Sequence, residues 1–206
     1  YAIEIRDAAD VSISYLTLTG GERGLRAHNA DGLVLDNNVA FNNAWSGLQV
    51  ESDATNVTVT NNRTYGTAGS NSSDQERGLN LFGHDMVVTG NESWKVGGRY
   101  DTGIYIDHDG SLTFTDNLTY DNGTGVWIRT HDALIASNVS RDNSSHGFVL
   151  DDESGTGGDT TVRDNLARDN DGSWPPSIVP PDCSAGLLLG RTSSGNAGCA
   201  AAFLTN

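Results

Sequence analysis

A glycine followed by alternating apolar residues recurs along this chain, at Gly24, Gly47, Gly78, Gly103, Gly125, Gly147 and Gly186. Successive glycines are 23, 31, 25, 22, 22 and 39 residues apart, so the underlying unit is about 22 residues with insertions. A period of that size marks a repeat architecture, in which each unit buries its apolar face only by stacking on its neighbours. After each glycine, positions +1 and +3 are apolar, as in Leu48 and Val50, Ile104 and Ile106, or Phe148 and Leu150. That period of two is the mark of a strand with one buried face. The opening AIEIRDAADVSISYLTL fits the same pattern with Ala2 in the glycine position. No 3.6-residue apolar pattern persists, so the expectation is all-β, a solenoid of short strands with equivalent residues about 4.8 Å apart from coil to coil.

A second column supports that register. Asn38, Asn62, Asn91, Asn117, Asn138 and Asn165 follow their glycines by 14, 15, 13, 14, 13 and 18 residues. Further asparagines stand five later at Asn43, Asn122, Asn143 and Asn170. Residues five and three before the first set are again apolar: Val57 and Val59, Met86 and Val88, Leu112 and Phe114. Asn tolerates the left-handed backbone of a sharp turn, and its amide bonds to an amide above and below. The ladders are therefore expected to sit in turns, with their side chains inward. Eight N-x-S/T sequons occur, at Asn56, Asn62, Asn71, Asn91, Asn117, Asn122, Asn138 and Asn143. Six belong to the ladders, which leaves Asn56 and Asn71 as the glycosylation candidates.

A length of 206 residues suits one domain over 1–206, with 171–206 as a C-terminal loop and last rung. The net charge of −15 disfavours nucleic acid as a partner and favours cations, including Ca²⁺ held by carboxylates. No run of eighteen apolar residues offers a membrane span. Cys183 and Cys199 are expected to pair as a disulfide in an oxidising compartment, so the chain reads as extracellular or cell-surface. It opens with no basic-then-apolar leader, as a mature or excised chain would. Repeat sequence reaches both ends without a capping helix, an arrangement that fits continuation into further solenoid or end-to-end self-association.

The Gly-x-x-apolar strands and repeated Asn turns resemble the right-handed parallel β-helix superfamily, which includes pectate and alginate lyases, mannuronan C5-epimerases and phage tailspikes. The resemblance covers about residues 1–170 and resumes at 186. It implies a single-stranded right-handed parallel β-helix of about eight rungs of about 22 residues, with Asn ladders; the handedness comes from the resemblance and not from the spacing. The motifs that carry it are structural, so function has to be argued from the site.

Ligands of such folds lie along the outer face of one stacked sheet, as in the resembled family. Position +2 after each glycine reads Arg26, Gln49, Asn80, Tyr105, Trp127, Val149, and position +4 reads His28, Glu51, Phe82, Asp107, Arg129, Asp151. Aromatic platforms beside hydrogen-bonding groups suit a polysaccharide. A uronate lyase or epimerase removes a proton beside a carboxylate, which takes a base, a proton donor and a positive charge. Tyr105, Asp107, His108 and Arg129 are the catalytic candidates, and the string YIDHD (105–109) resembles the Tyr-, Asp- and His-containing motif of mannuronan epimerases without its Gly and Pro and at shorter spacing. Arg26, Gln49, Asn80, Trp127 and His131 are the substrate-binding candidates, and Asp109, Asp151 and Asp152 the Ca²⁺ candidates. A hydrolase would use Asp107 and Asp151, two rungs or roughly 9.5 Å apart, with the intervening Arg129 opposing the raised pKa a general acid needs. The rival reading is a non-catalytic structural, adhesive or carbohydrate-binding solenoid, a spike, sheath or filament subunit, in which Asp and His at strand ends only cap backbone groups.

Overall fold

The computed structural model describes residues 1–67, 76–97, 101–107, 110–130, 132–151, 160–170 and 187–189, the last three and residue 151 as backbone. The chain coils through three short strands per turn. Equivalent strands stack in parallel into three columns. The first holds Ile3–Ala9, Arg23–Asp31, Ser46–Val50, Arg77–Leu81, Thr102–Asp107, Thr124–Arg129, Phe148–Asp151 and Leu187–Leu189. The second runs from Ser12–Ser14 through Val34–Asp36, Thr55–Thr60, His84–Thr89, Ser111–Thr115 and Asp132–Ala136 to Thr161–Arg163. Its outward residues are mostly small, with Thr58 and Thr60 above Val87 and Thr89. The third column holds three-residue strands from Thr17–Thr19 to Leu166–Arg168. No helix among the described residues is long and apolar enough to cross a membrane.

The core is a file of layers. Leu25, Leu48, Leu79, Ile104, Val126 and Phe148 lie in register, one per coil, and every one of them is buried. Val57, Val59, Met86, Val88, Leu112 and Phe114 face them from the second column. The third column turns inward with Leu18 and Ala40, then with Thr64, Ser93, Thr119 and Ser140, all buried. This polar corner explains the repeated glycine. A Cβ on Gly78 would meet Ser93 Oγ and sit 2.5 Å from Gly103 O, and one on Gly125 would meet Ser140 Oγ and sit 2.7 Å from Gly147 O. The column is glycine for lack of room where two walls converge, with Ser93 and Ser140 donating to the glycine carbonyls at 2.9 and 2.8 Å.

The first Asn ladder is continuous. The side-chain oxygen of Asn62 accepts from both the backbone N–H and the amide of Asn38, at 2.9 and 3.0 Å. The same double contact repeats from Asn62 to Asn91, Asn91 to Asn117, Asn117 to Asn138 and Asn138 to Asn165. One expectation is corrected here: the ladder asparagines do not take the left-handed conformation. The residue before each does: Asn37, Asn61, Gly90, Asp116, Ser137 and Asp164, with φ from 53 to 67°. That residue makes the turn and frees the Asn to point inward. The second ladder is interrupted. Asn122 bonds Asn143, which bonds Asn170, whereas on the preceding coil Val96 N donates to Asn122 Oδ1.

On the outside of the third column Phe41, Tyr65, Trp94 and Tyr120 stack ring on ring, with centroids 5.1, 4.4 and 5.7 Å apart and planes within 16°. Their faces are taken by one another, so this stripe packs coil on coil. The six ladder sequons are buried. Asn56 stands exposed in a left-handed turn, its amide donating to Asp31 Oδ1 at 2.8 Å. Asn71, Cys183 and Cys199 lie outside the described residues.

Asn91→Ala takes the acceptor from the Asn62 backbone N–H and amide and the amide donor from Val59 O in a buried corner, while Asn117 Oδ1 keeps the backbone N–H of residue 91. At about 1–3 kcal/mol for each unpaired group, it lowers unfolding free energy by about 3 kcal/mol in urea titration. Thr113→Ala, on the outward face of the second column, changes it by about 0.5 kcal/mol or less.

Candidate functional site

In-register stacking brings the expected residues together. Arg26, Gln49, Asn80, Tyr105, Trp127 and Val149 are Cα partners down the outward face of the first column. Asp107, Arg129 and Asp151 are partners in the parallel file. Tyr105 and Asp107 are two apart on one strand and so share a face, and Arg129 lies one coil on.

The resulting contacts form one polar group. Tyr105 donates its phenolic hydrogen to Asp107 Oδ2 at 2.9 Å. Arg129 reaches Asp107 Oδ2 at 3.3 Å and Tyr105 Oη at 3.4 Å. The Tyr105 ring is wedged between Phe82 and Trp127, with centroids at 5.8 and 6.1 Å and planes tilted by 58 and 62°. It is 7% exposed. Burial, then the Asp107 charge and hydrogen bond, raise the Tyr105 phenol above its ordinary value of 10.0, while Arg77 and Arg129 pull against them. A phenol with a raised pKa is protonated at neutral pH, so Tyr105 is a proton donor and not a resting base.

Two groups escaped the sequence reading. Arg77 lays its guanidinium over the Tyr105 ring, 3.6 Å from the centroid, and donates to Asn80 Oδ1 at 2.8 Å. Burial lowers its pKa below that of a free guanidinium. His146 is buried with Nδ1 2.8 Å from Ser145 Oγ, and burial lowers the pKa of its imidazole. Arg77 and His146 each stand one residue before a repeat glycine, and the Arg77 side chain meets the +2 file at Asn80 and Tyr105. The signal was available, because Arg23 also precedes its glycine and bonds the +2 residue Gln49 at 2.6 Å.

Arg26 and Gln49 belong to a second cluster nearer the N-terminus. Arg26 Nε and Gln49 Nε2 both donate to Glu51 Oε1, at 2.6 and 2.9 Å, and Arg26 also reaches Tyr1 Oη at 3.0 Å. His108, Asp109, His131 and Asp152 lie outside the described residues, as does the side chain of Asp151. Among the described residues, no group of three or more His, Cys, Asp or Glu side chains could hold a metal ion. Asp107 is bonded to Tyr105 and Arg129, whereas the Ca²⁺ candidates Asp109 and Asp152 and the side chain of Asp151 are outside the described residues. Asp107 and Asp151 are both Cα partners of Arg129, one on each side of it.

A family described as the right-handed β-helix region matches residues 1–197. Two crystal structures are similar in fold: the periplasmic alginate epimerase AlgG, at 14% identity and TM-score 0.61, and a threonine-to-asparagine mutant of that enzyme, at 15% and 0.63. Each similarity covers 91% of this chain and 46% of the other, so the chain spans about half the length of these structures. No curated protein matches the chain.

The raised phenol is directly measurable. The ultraviolet titration of the protein minus that of Tyr105→Phe should show one tyrosine ionising above pH 10. The Tyr105→Phe subtraction is needed because Tyr120, bonded to Glu92 at 3.0 Å, is itself pushed up to about 12. In Asp107→Asn the Tyr105 step moves down, because the carboxylate that opposes phenolate formation is gone.

Proposed function

Since the chain belongs to the right-handed β-helix family, and its first column carries a proton donor held between two guanidiniums, we propose that it acts on an acidic, uronate-containing polysaccharide outside the cytoplasm by β-elimination or C5-epimerisation. The observation that carries this reading is the Tyr105–Asp107–Arg129 group, flanked by Arg77 and two aromatic rings. The likeness to periplasmic alginate epimerases supports the substrate class and the export.

The chemistry follows from what each group holds. Loss of the C5 proton places negative charge on the neighbouring carboxylate, which a guanidinium stabilises by charge and by paired donors. Arg129 is half-exposed on the face and takes that role. Asp107 orients both Arg129 and the Tyr105 hydroxyl. The base that accepts the C5 proton is assigned to His108, from its place next to Asp107 in the chain. Tyr105 then returns a proton, either to C5 from the opposite side, which inverts the centre, or to the departing glycosidic oxygen, which breaks the chain and leaves an unsaturated end. Arg77 fixes the Tyr105 ring from its open side.

Incubation with alginate and pectate, read by ultraviolet absorbance for unsaturated ends and by proton NMR for the ratio of C5 epimers, tests the reading. Tyr105→Phe should lower kcat about 10²–10⁴-fold with the circular dichroism spectrum unchanged. Arg129→Ala should raise KM and lower kcat together. Wild-type protein inert on both polymers, with and without Ca²⁺, would leave the binding-module alternative in possession.

A further inference from the structure

Beside the Tyr105 group, toward the N-terminus, the first column opens into a cleft of about 330 Å³ lined by Arg23, Trp45, Gln49, Glu51, Arg77, Asn80 and Phe82. In the file before the repeat glycines, Arg23, Ser46 and Arg77 are Cα partners on successive coils. The dip lies between the two arginines, whose Cα atoms stand two coils, or roughly 9.6 Å, apart, with the small, buried Ser46 between them.

The walls of the dip are fixed before any ligand arrives. Trp45 is held by backbone bonds on both sides, its N–H donating to Glu22 O at 2.6 Å and its carbonyl accepting from Arg77 N at 3.1 Å. The Arg23 guanidinium packs 4.2 Å from the Trp45 ring centroid, yet Trp45 remains 40% exposed, an unusual cost for the largest apolar side chain. On the floor Gln49 and Asn80 each turn the carbonyl oxygen to an arginine, Gln49 to Arg23 and Asn80 to Arg77. The acids are already answered: Glu51 by Arg26 and Gln49, Glu22 by Arg23. Among the described residues that line the cleft, the guanidiniums of Arg23 and Arg77 stand against the one carboxylate of Glu51, in a chain whose net charge is −15. An exposed indole beside fixed cations and amides is the chemistry of a subsite for an anionic sugar.

We infer that this cleft is a binding subsite for an acidic oligosaccharide, so that the chain of sugars runs along the solenoid axis from Tyr105 toward the N-terminal coils, with Trp45 as its stacking platform. The inference rests on the proposed reading for the sugar class and concerns affinity alone. Binding is therefore measured in the Tyr105→Phe background, where no reaction interferes, by calorimetry with mannuronate and galacturonate hexamers and with a neutral hexasaccharide. One or both acidic hexamers should bind, and the neutral one at least tenfold more weakly. Trp45→Ala should weaken the acidic hexamer at least tenfold, and Trp45→Phe, which keeps a ring and guards against a folding artefact, less than threefold. Equal affinity for neutral and acidic hexamers, no acidic binding, or wild-type affinity in Trp45→Ala each overturns it. Turnover by wild type alongside an indifferent Trp45 sinks the subsite and spares the reaction; binding without turnover does the reverse.

Discussion

The structure depends on amide-to-amide bonding down the interior corner. Each ladder Asn satisfies the backbone and the side chain of the one before it, and its own amide is satisfied by the next. Buried polar groups left unpaired are expensive, so the arrangement admits one register only. A slip by a single residue would face polar side chains inward and empty the ladder of its partners at once. The glycine column and the aromatic stack are consequences of the same register. Ser93 and Ser140 sit where a Cβ would otherwise go, and Phe41, Tyr65, Trp94 and Tyr120 lie face to face because their strands are fixed one above another.

Stacking also makes the chemistry local. Tyr105, Arg129 and Arg77 come from three successive coils, far apart in sequence, yet their functional groups meet within 3.6 Å. The charges collect unevenly. Arg23, Arg26, Arg77 and Arg129 gather on the first column, where Arg23, Arg26 and Arg129 pair with Glu22, Glu51 and Asp107, while Arg141, Arg163 and Arg168 each pair with the aspartate that follows. The raised phenol of Tyr105 arises from the same crowding, since burial between Phe82 and Trp127 and the adjacent Asp107 both favour its protonated form.

Much of this was legible before any coordinates. The +1 and +3 files, the ladder asparagines and the alignment of Tyr105 with Trp127 and of Asp107 with Arg129 all followed from spacing. The left-handed turn residue was placed one position too late, because Asn is common both at the turn, as Asn37 and Asn61, and in the ladder, as Asn38 and Asn62. Arg77 and His146 were missed because strict alternation gives the residue before the glycine no outward role. The Arg77 guanidinium nonetheless reaches Asn80 and the Tyr105 ring.

Periodicity by itself determined that the chain is a stack of short parallel strands and which residues share a file, because a repeat that buries its apolar positions only by stacking has a single consistent alignment. The tertiary structure alone showed where each side chain ends: Arg77 over the Tyr105 ring, the third-column aromatics spent on one another, and a cleft between Arg23 and Arg77. Those outcomes turn on rotamers and on the angle between two walls. They are set by the neighbours above and below, and no single repeat contains that information.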